Sequence, residues 1–377
     1  MSGFIAGSEL ELRMRRLIST IENMPFFDES KLEDESGLGP EALMIFRSYV
    51  TGKGLIPRAS ISYQKLGLKP VIVTANLRVN DEETAKTIAG IYQRNGFLLS
   101  WSKPFGSKTI FSRHSVPQEF LERYKESFQS MVELGLITDF NWIEFSKTHT
   151  RFSFEPCVFD YSQGGWRAAP GDCKPRTLKD GSTEIVSHID EYDLKILVQL
   201  KRTAIQSCQS LANAIGLSVD ETMQHLKDHV LGGSDKSKSM INSYYIDFLE
   251  PGLFASDTVF ADCIFTPTDT SWHDELVSDL LSIPYLIFIR ADERVHATFA
   301  FPTVRLYQLT SLIEKAAKES NVRDYEYFLM PWYNLNVFTM SDDLGLFANF
   351  EGGKWHYEED LVMQELTHLV KYLGVTA

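Results

Sequence analysis

The sequence predicts an α+β fold in which one arrangement of helices and strands occurs twice in tandem. Two observations predict it. A segment near the N-terminus aligns without a gap on a segment from the middle of the chain, and the strand and helix patterns after each segment come in the same order. A chain of 377 residues has room for more than one domain of roughly 100 to 200 residues. Its hydrophobic content of 44% and charged content of 23% are typical of a globular protein.

The repeat begins with a helical pattern that starts at Leu17 in the first copy and at Ile196 in the second. The matched positions are Leu17 and Ile196, Ile18 and Leu197, Ile21 and Leu200, Leu32 and Leu211, and Gly37-Leu38 and Gly216-Leu217. Each copy predicts a helix, a short second helix, a tight glycine turn and a third helix, which is the helix-turn-helix pattern. Ser218 with Glu221 predicts a capping box for the third helix of the second copy, and Gly39-Pro40 starts that of the first.

After each third helix the chain predicts a wing or linking strand and then the order β-α-β-β-α-β. In the first copy the segments are 71–79, 81–95, 97–103, 108–116, 118–135 and 138–145. In the second copy they are 258–265, 271–282, 285–291, 295–301, 304–320 and 322–330. This order predicts a four-stranded antiparallel sheet with both helices on one face, the ferredoxin-like arrangement.

The predicted organisation is therefore two winged helix-turn-helix units, each followed by a ferredoxin-like domain. The expected boundaries are 8–60 and 61–150 for the first pair, 151–186 for a linker, 187–246 and 247–340 for the second pair, and 341–377 for a C-terminal extension with a helix.

The charge is distributed unevenly along the chain. The formal net charge is −14, and the whole acidic excess lies in residues 187–377, with 14 basic against 28 acidic residues. From Ala42 to Asn80 there are six basic residues and no acidic one. A local basic patch of this kind can contact phosphates whatever the sign of the total charge.

The N-terminal segment and the cysteines suggest a cytoplasmic protein. No basic segment precedes a long apolar run, and no window approaches 18 uninterrupted apolar residues, so secretion and membrane spanning are not expected. The four cysteines, Cys157, Cys173, Cys208 and Cys263, form no CxxC pair. They predict free thiols rather than a disulfide framework or a zinc site.

These features resemble the Lrp/AsnC family of prokaryotic transcription regulators. The residues that carry the resemblance are Asp190, Asp193, Ile196 and Leu197, the stretch "LANAIGLS", Gly54-Leu55-Ile56 and Lys65-Leu66-Gly67-Leu68. The resemblance covers roughly 9–147 and 188–330. It implies a helix-turn-helix that binds duplex DNA and a ferredoxin-like domain that dimerises and often binds an amino acid effector. A fused double copy resembles a pseudo-dimer, which could form homo-oligomers.

The third helices depart from the family pattern, because the usual arginine run is replaced by Met44-Ile45-Phe46 and Met223-Gln224-His225. The first copy is expected to bind DNA, mainly through phosphate contacts. The candidate DNA-binding residues are Arg47, Lys53, Arg58, Lys65, Thr222, Gln224 and Lys227. We expect a transcription regulator that is not an enzyme and has no cofactor.

Three further interpretations remain open at this stage. Met44, Ile45 and Phe46 could form an apolar docking face of a scaffold that does not bind DNA. Some proteins of Lrp/AsnC-like architecture are siroheme decarboxylases, and in that case Arg113 and His114 would face a tetrapyrrole carboxylate in the cleft of the sheet. A small-molecule effector could also bind near the sheet domains, although Gly106 lacks the Asp that follows in the family.

The histidines predict no metal site. His225 and His229 are four residues apart on a helix, which is half of a possible site, but no carboxylate or cysteine lies at a telling spacing.

Overall fold

The computed structural model describes residues 7–104, 106–179, 181–186, 188–248, 258–269, 272–331 and 347–374. It contains helices and antiparallel sheets, so the predicted α+β class is confirmed. None of the helices in these ranges is both long enough and apolar enough to span a lipid bilayer.

The first half of the chain starts with three helices and ends with a four-stranded sheet. Its elements are α1 (Gly7–Asn23), α2 (Leu32–Glu35), α3 (Glu41–Ile45), β1 (Leu55–Ile61), β2 (Leu68–Leu77), α4 (Glu82–Asn95), β3 (Leu98–Ser102), β4 (Thr109–Pro117), α5 (Leu121–Glu133) and β5 (Ile137–Glu144). Helix α3 continues as a π-helical turn, Phe46–Val50. Three short strands follow: β6 (Thr150–Arg151), β7 (Phe159–Asp160) and β8 (Gly165–Trp166).

The second half has the same order of elements. They are α6 (Glu191–Arg202), α7 (Cys208–Ile215), α8 (Val219–Gln224), β9 (Ile241–Phe248), β10 (Thr258–Pro267), α9 (His273–Ser282), β11 (Leu286–Ala291), β12 (Val295–Pro302), α10 (Leu306–Glu319) and β13 (Val322–Pro331). Helix α8 also continues as a π-helical turn, His225–Val230. The last elements are β14 (Phe350–Glu351), β15 (Lys354–Trp355) and α11 (Glu359–Leu373), a helix that packs against α4 and α5.

Local sequence signals set several helix ends. The Ser218 hydroxyl accepts a hydrogen bond from the Glu221 N–H, and the Glu221 carboxylate accepts one from the Ser218 N–H, which confirms the predicted capping box. Asp190 and Asp193 form a second capping box at the start of α6. Gly216 ends α7 with a φ of 81°, the left-handed conformation that glycine adopts without strain.

Both large sheets have the strand order expected for the predicted chain order. It is β3-β4-β2-β5 in the first sheet and β13-β10-β12-β11 in the second, where β6 extends the edge beside β11. Alternate residues of each strand point to opposite faces. In β2, Val71 and Val73 belong to the core with the helices, whereas Ile72 belongs to the layer between the two sheets. The helices therefore cover one face of each sheet, and the two uncovered faces lie against each other.

The strands predicted as wings pair with each other across the two halves. Strand β1 runs antiparallel to β9, with Arg58 opposite Tyr245 and Ala59 opposite Tyr244. This pairing buries most of β1.

The segment between the halves contains a disulfide that the sequence did not predict. Cys157 and Cys173 are bonded, with their Cα atoms 5.4 Å apart, so the expectation of free thiols was wrong for this pair. A turn and the short β7–β8 hairpin bring the two residues together, which the spacing alone does not reveal. Cys208 and Cys263 are free, as expected.

Candidate ligand-binding site between the two sheets

A cavity lies where the uncovered faces of the two sheets meet. Ile72, Phe111, Ile143 and Phe145 of the first half pack there with Ile264 of the second. The cavity beside this layer has a volume of about 650 Å³, and residues of β1, β9 and the end of α6 also line it. Small-molecule sites commonly have volumes of about 300 to 1,000 Å³.

One row of residues across the second sheet forms the floor of the cavity. Arg151 of β6 is opposite Phe288 of β11, Phe288 is opposite Thr298 of β12, and Thr298 is opposite Asp262 of β10. Residues that are opposite each other in neighbouring strands point to the same face of a sheet. The register of the strands therefore gathers a cation, a ring, a hydroxyl and a carboxylate on the face that looks toward the first sheet.

Asp262 connects the two sheets through a buried hydrogen-bond network. Its carboxylate accepts a hydrogen bond from Arg113 of β4, and its Oδ1 lies 2.9 Å from His296 Nε2 and 2.6 Å from the Thr298 hydroxyl. Burial alone would raise the pKa of Asp262, but Arg113 and the bonds from His296 and Thr298 lower it to about 2. Burial lowers the pKa of His296 to about 4, although Asp262 acts in the opposite direction. Asp262 is therefore an anion that holds Arg113 in place.

Three guanidinium groups surround the ring of Phe288. The Cζ atoms of Arg113, Arg151 and Arg290 each lie 5.5 Å from the ring centroid. Burial, followed by the charges of Arg113 and Arg151, lowers the pKa of Arg290 to about 9. Within the described residues, neither Arg151 nor Arg290 forms an ion pair. Asp262 pairs with Arg113 and the charge of Asp292 acts on Arg290, so the three guanidinium groups outnumber these two carboxylates.

Two donors of this cluster also lack acceptors. The buried Nε atoms of Arg113 and Arg290 form no hydrogen bond with any residue in the described ranges. A buried donor without an acceptor costs roughly 1–3 kcal/mol, and more when it is charged. An anionic ligand in the cavity would supply both the missing charge and the missing acceptors.

His149 lies at the edge of the same cluster. Its ring stacks on Phe288 with centroids 5.1 Å apart, Nε2 lies 3.1 Å from the Ser60 hydroxyl, and Nδ1 lies 3.4 Å from Arg290 Nη2. Burial, and then the charges of Arg290, Arg151 and Arg113, hold the pKa of His149 well below its ordinary value. The imidazole is therefore neutral when the cavity holds no anion.

The lining as a whole is cationic and aromatic. The cationic residues are Arg58, Arg113, Arg151, Lys201, Arg202 and Arg290, and the acidic ones are Asp247 and Asp262. The aromatic residues besides histidine are Tyr63, Trp101, Phe111, Phe154, Tyr245, Phe248, Phe260 and Phe288. This concentration of positive charge, in a chain of net charge −14, favours a ligand with a flat body and several negative groups.

Two of the residues predicted to bind DNA are buried, and a third is half-buried. Lys65 donates to the carbonyl oxygens of Ser237 and Ser239 at 2.6 and 2.7 Å, and burial lowers its pKa. The Thr222 side chain is fully buried, with its hydroxyl 2.8 Å from the Ser218 carbonyl oxygen.

Arg58 is the third, and it lines the cavity, where it donates to the carbonyl oxygens of Lys201 and Phe248. The pairing of β1 with β9 encloses Arg58, the turn before β9 holds Lys65, and the capped start of α8 encloses Thr222. That these three side chains contact a duplex stays a prediction, which their enclosure does not support.

The other four predicted DNA-binding residues remain accessible. Arg47, Gln224 and Lys227 are exposed and Lys53 is half-buried. Arg47 forms an ion pair with Glu29 at 2.6 Å. Lys65 and Thr222, being buried, share no surface with these four residues.

The structure bears on two of the open interpretations, the apolar docking face and the placement of Arg113 and His114 in the cleft. Ile45 and Phe46 are fully buried, so they cannot form the apolar docking face, and only Met44 is exposed. Arg113 and His114 both line the cavity, but the two ring nitrogens of His114 are already bonded to Tyr124 and Ser112. Burial lowers the pKa of His114 to about 3.

Most of the residues that form the cavity were not predicted from the sequence. Asp262, His296 and Arg290 lie in strands recognised from their apolar residues. A usable signal was present in "VHATFAF", where His296 and Thr298 alternate with Val295, Ala297 and Phe299. His149 and Arg151 gave no such signal, because they follow the last strand of the first sheet and join the second.

The sequence was compared with protein-family models and curated proteins, and the fold with solved structures. No protein-family model matches the sequence, and no curated protein matches it. A crystal structure of the siroheme decarboxylase NirDL, in co-complex with an iron-uroporphyrin III analogue, is similar over 96% of this chain and 99% of its own. Its TM-score is 0.50 and its sequence identity 11%.

Two further solved structures show weaker likenesses. E. coli AsnC matches 38% of this chain and 92% of its own, with a TM-score of 0.27 and 14% identity. An anthrone oxidase-like protein matches 73% of this chain and 93% of its own, with a TM-score of 0.34 and 8% identity.

The likeness over the full length corrects one expectation. The chain shares its fold over 96% of its length with a solved enzyme. The prediction that the protein is not an enzyme is therefore contradicted: its overall fold is that of a solved decarboxylase.

Proposed function

We propose that the cavity between the sheets binds a tetrapyrrole that carries several carboxylates, and that the protein removes one or more of them as carbon dioxide. The observation that carries this proposal is the cluster around Phe288, where the guanidinium groups of Arg113, Arg151 and Arg290 gather and only Arg113 forms an ion pair within the described residues, with Asp262. Guanidinium groups bind carboxylates through paired hydrogen bonds. Several such groups around an aromatic floor fit a flat polycarboxylate better than a compact anion.

The comparison supports a tetrapyrrole as the flat body of the ligand. The similar solved protein is described as a siroheme decarboxylase, in co-complex with an iron-uroporphyrin III analogue. The two proteins are only 11% identical, so the likeness supports the shape of the site, and the arginines of this chain supply the argument for charge.

Decarboxylation of an acetate side chain requires one proton. The bond between the methylene and carboxylate carbons breaks, carbon dioxide leaves, and the electron pair that remains takes up a proton to give a methyl group. His149 is the group we assign to hold this proton. A bound carboxylate would offset the charges of Arg290 and Arg151, and the pKa of His149 would rise toward the working pH.

The remaining residues act by binding and by positioning. Arg151 and Arg290 are the expected carboxylate ligands, because neither has an ion pair within the described part of the chain. Arg113 is fixed by Asp262 and could bind a further carboxylate through its Nε. The walls of the cavity shield the reacting group from water, which strengthens these electrostatic interactions.

The test is an incubation of the purified full-length chain with siroheme, followed by mass spectrometry of the pigment. The proposal expects a product that has lost carbon dioxide, and it expects His149→Gln to slow the conversion while the pigment still binds. Arg323→Gln, an exposed arginine of β13, is the matched control and should leave the rate unchanged. Pigment that binds and returns unchanged would contradict the decarboxylase proposal while leaving the binding site intact.

Duplex DNA is a second candidate ligand, supported by the exposure of Arg47, Gln224 and Lys227 on the two third helices. If DNA binds there through phosphate contacts, Arg47→Ala with Lys53→Ala should weaken binding for all sequences and flatten its salt dependence. A gel-shift titration at several salt concentrations measures both effects. Equal binding by the double variant and the unmodified chain would exclude this surface.

A further inference from the structure

A second polar cluster lies in the helical part of the second half, away from the cavity. It consists of Asp190 and Asp193 at the start of α6 and of His225 and His229 on the π-helical turn after α8. One ligand atom from each of the four side chains lies within 4.8 Å of the other three. Only the spacing of the two histidines is visible in the sequence, and the fold brings the carboxylates to them.

The two imidazoles face one buried carboxylate. His225 Nδ1 lies 2.9 Å from Asp193 Oδ1, and His229 Nδ1 lies 3.1 Å from Asp193 Oδ2. The Asp193 side chain is fully buried, and the ring centroids of the histidines are 5.1 Å apart. Asp190 Oδ2 lies 3.6 Å from His225 Nδ1 on the more exposed side. Two nitrogens and two carboxylates thus converge from two helices.

The internal repeat provides a comparison for this cluster. The shift that places Leu17 on Ile196 also places Met14 on Asp193, Phe46 on His225 and Val50 on His229. The elements agree with this shift, because α1 and α6 end at matched residues and both π-helical turns begin at matched residues.

In the first copy the three matched side chains are buried in the hydrophobic core. Apolar side chains therefore suffice to pack these two helices together. Burying the Asp193 carboxylate and partly burying two imidazoles at the same place costs free energy unless compensating partners are present. The replacement of a packing contact by potential metal ligands indicates a role beyond packing.

We propose that Asp190, Asp193, His225 and His229 bind one divalent transition-metal ion, with Zn²⁺ as the expected ion. Imidazole nitrogens favour zinc and its neighbours, whereas magnesium and calcium prefer oxygen ligands. The Nδ1 atoms of both histidines and one oxygen from each aspartate complete a four-ligand set of the kind that zinc accepts. The ion takes the place of the protons that the two Nδ1 atoms share with Asp193 in its absence.

The helix cap is compatible with this role. Asp190 Oδ1 accepts hydrogen bonds from the N–H groups of Tyr192 and Asp193 at 2.8 and 3.0 Å, which leaves Oδ2 for the ion. The metal would join the start of α6 to the third helix of the same unit. This inference is independent of what binds in the cavity between the sheets.

The experiment measures zinc binding to the purified full-length chain after treatment with a chelator. Competition against a chromophoric chelator gives the affinity, and elemental analysis after dialysis gives the stoichiometry. We expect one zinc ion per chain, and at least a hundredfold loss of affinity in the His225→Gln, His229→Gln double variant. Glutamine keeps an N–H donor for Asp193, so the variant retains the hydrogen bonds but loses the nitrogen ligands. His368→Gln, an exposed histidine of α11, is the matched control and should bind zinc as the unmodified chain does.

A second variant and a second ion keep the test independent of folding defects. Asp190→Asn preserves the helix cap, because asparagine caps as well as aspartate, and should lower the affinity at least tenfold. Cobalt in the unmodified chain should give the strong visible absorption of a four-coordinate site. An unmodified chain that binds zinc no more tightly than the double variant, or that leaves the cobalt spectrum as in water, would overturn the proposal.

Discussion

Arg290 and His149 lie side by side in the buried part of the cavity, with Arg290 Nη2 3.4 Å from His149 Nδ1. The arginine donates, so Nδ1 accepts and the proton of the neutral imidazole resides on Nε2, which faces the Ser60 hydroxyl at 3.1 Å. The charge of the arginine therefore fixes both the protonation state and the tautomer of its neighbour. An anion that binds Arg290 would offset this charge and raise the pKa of His149.

The first prediction is that ligand binding is accompanied by proton uptake. Burial and three arginines hold the pKa of His149 well below its ordinary value, and a bound carboxylate raises it. A group whose pKa rises on binding takes up a proton, so affinity increases as the pH falls, by up to about tenfold per pH unit. Calorimetric titration with iron uroporphyrin in two buffers of different ionisation enthalpy measures the uptake. His149→Gln should abolish it, and equal uptake in the variant would assign the proton to another group.

The second prediction concerns stability in acid. His114, His149 and His296 are buried and neutral, with a pKa of about 3 for His114, about 4 for His296 and a value well below the ordinary one for His149. The unfolded chain binds protons at these histidines below pH ~6.5 while the folded chain does not, so stability falls as the pH falls. Between pH 7 and pH 5, His114 and His296 should each cost about 2 kcal/mol, and His149 acts in the same direction.

Urea denaturation at the two pH values tests this acid sensitivity. Asp262 contributes nothing to it in this window, because its pKa lies near 2 in the folded chain. Equal free energies of unfolding at pH 7 and pH 5 would show that the three imidazoles are not held neutral.

The third prediction is that the disulfide stabilises the segment between the halves. Cys157 and Cys173 close a loop with a sequence separation of 16. Loss of a loop of this size should lower the free energy of unfolding by about 3 kcal/mol, so Cys157→Ser with Cys173→Ser should unfold at lower urea concentration. Thiol titration of the unfolded, unreduced chain should find two thiols, from Cys208 and Cys263. Four titratable thiols would contradict the pairing.

The sequence predicted the elements well because their signals are local. The segments expected for β12 and α9 lie within a few residues of the observed strand and helix, since alternation and helical periodicity depend only on neighbouring residues. The capping box of Ser218 and Glu221 is likewise a signal within one turn.

The site was missed because it depends on pairings between distant segments. Arg58 was assigned to DNA from a run of basic residues, yet β9, almost 200 residues away, covers it. Arg151 enters the second sheet through β6, which pairs with β11. Local composition carries no information on which face of which sheet such a residue will reach.

The most direct test of the account is an absorbance titration of the full-length chain with iron uroporphyrin, compared with an Arg151→Gln, Arg290→Gln double variant. Each charge-assisted hydrogen bond contributes about 1.5–3 kcal/mol, so the double variant should bind roughly a hundredfold more weakly or worse. Arg323→Gln should bind as the unmodified chain does. A Soret shift that saturates at one pigment per chain and is lost in the double variant is the predicted result. Equal affinities for the double variant and the unmodified chain, or no shift with either, would contradict the assignment of the cavity as a site for carboxylated tetrapyrroles.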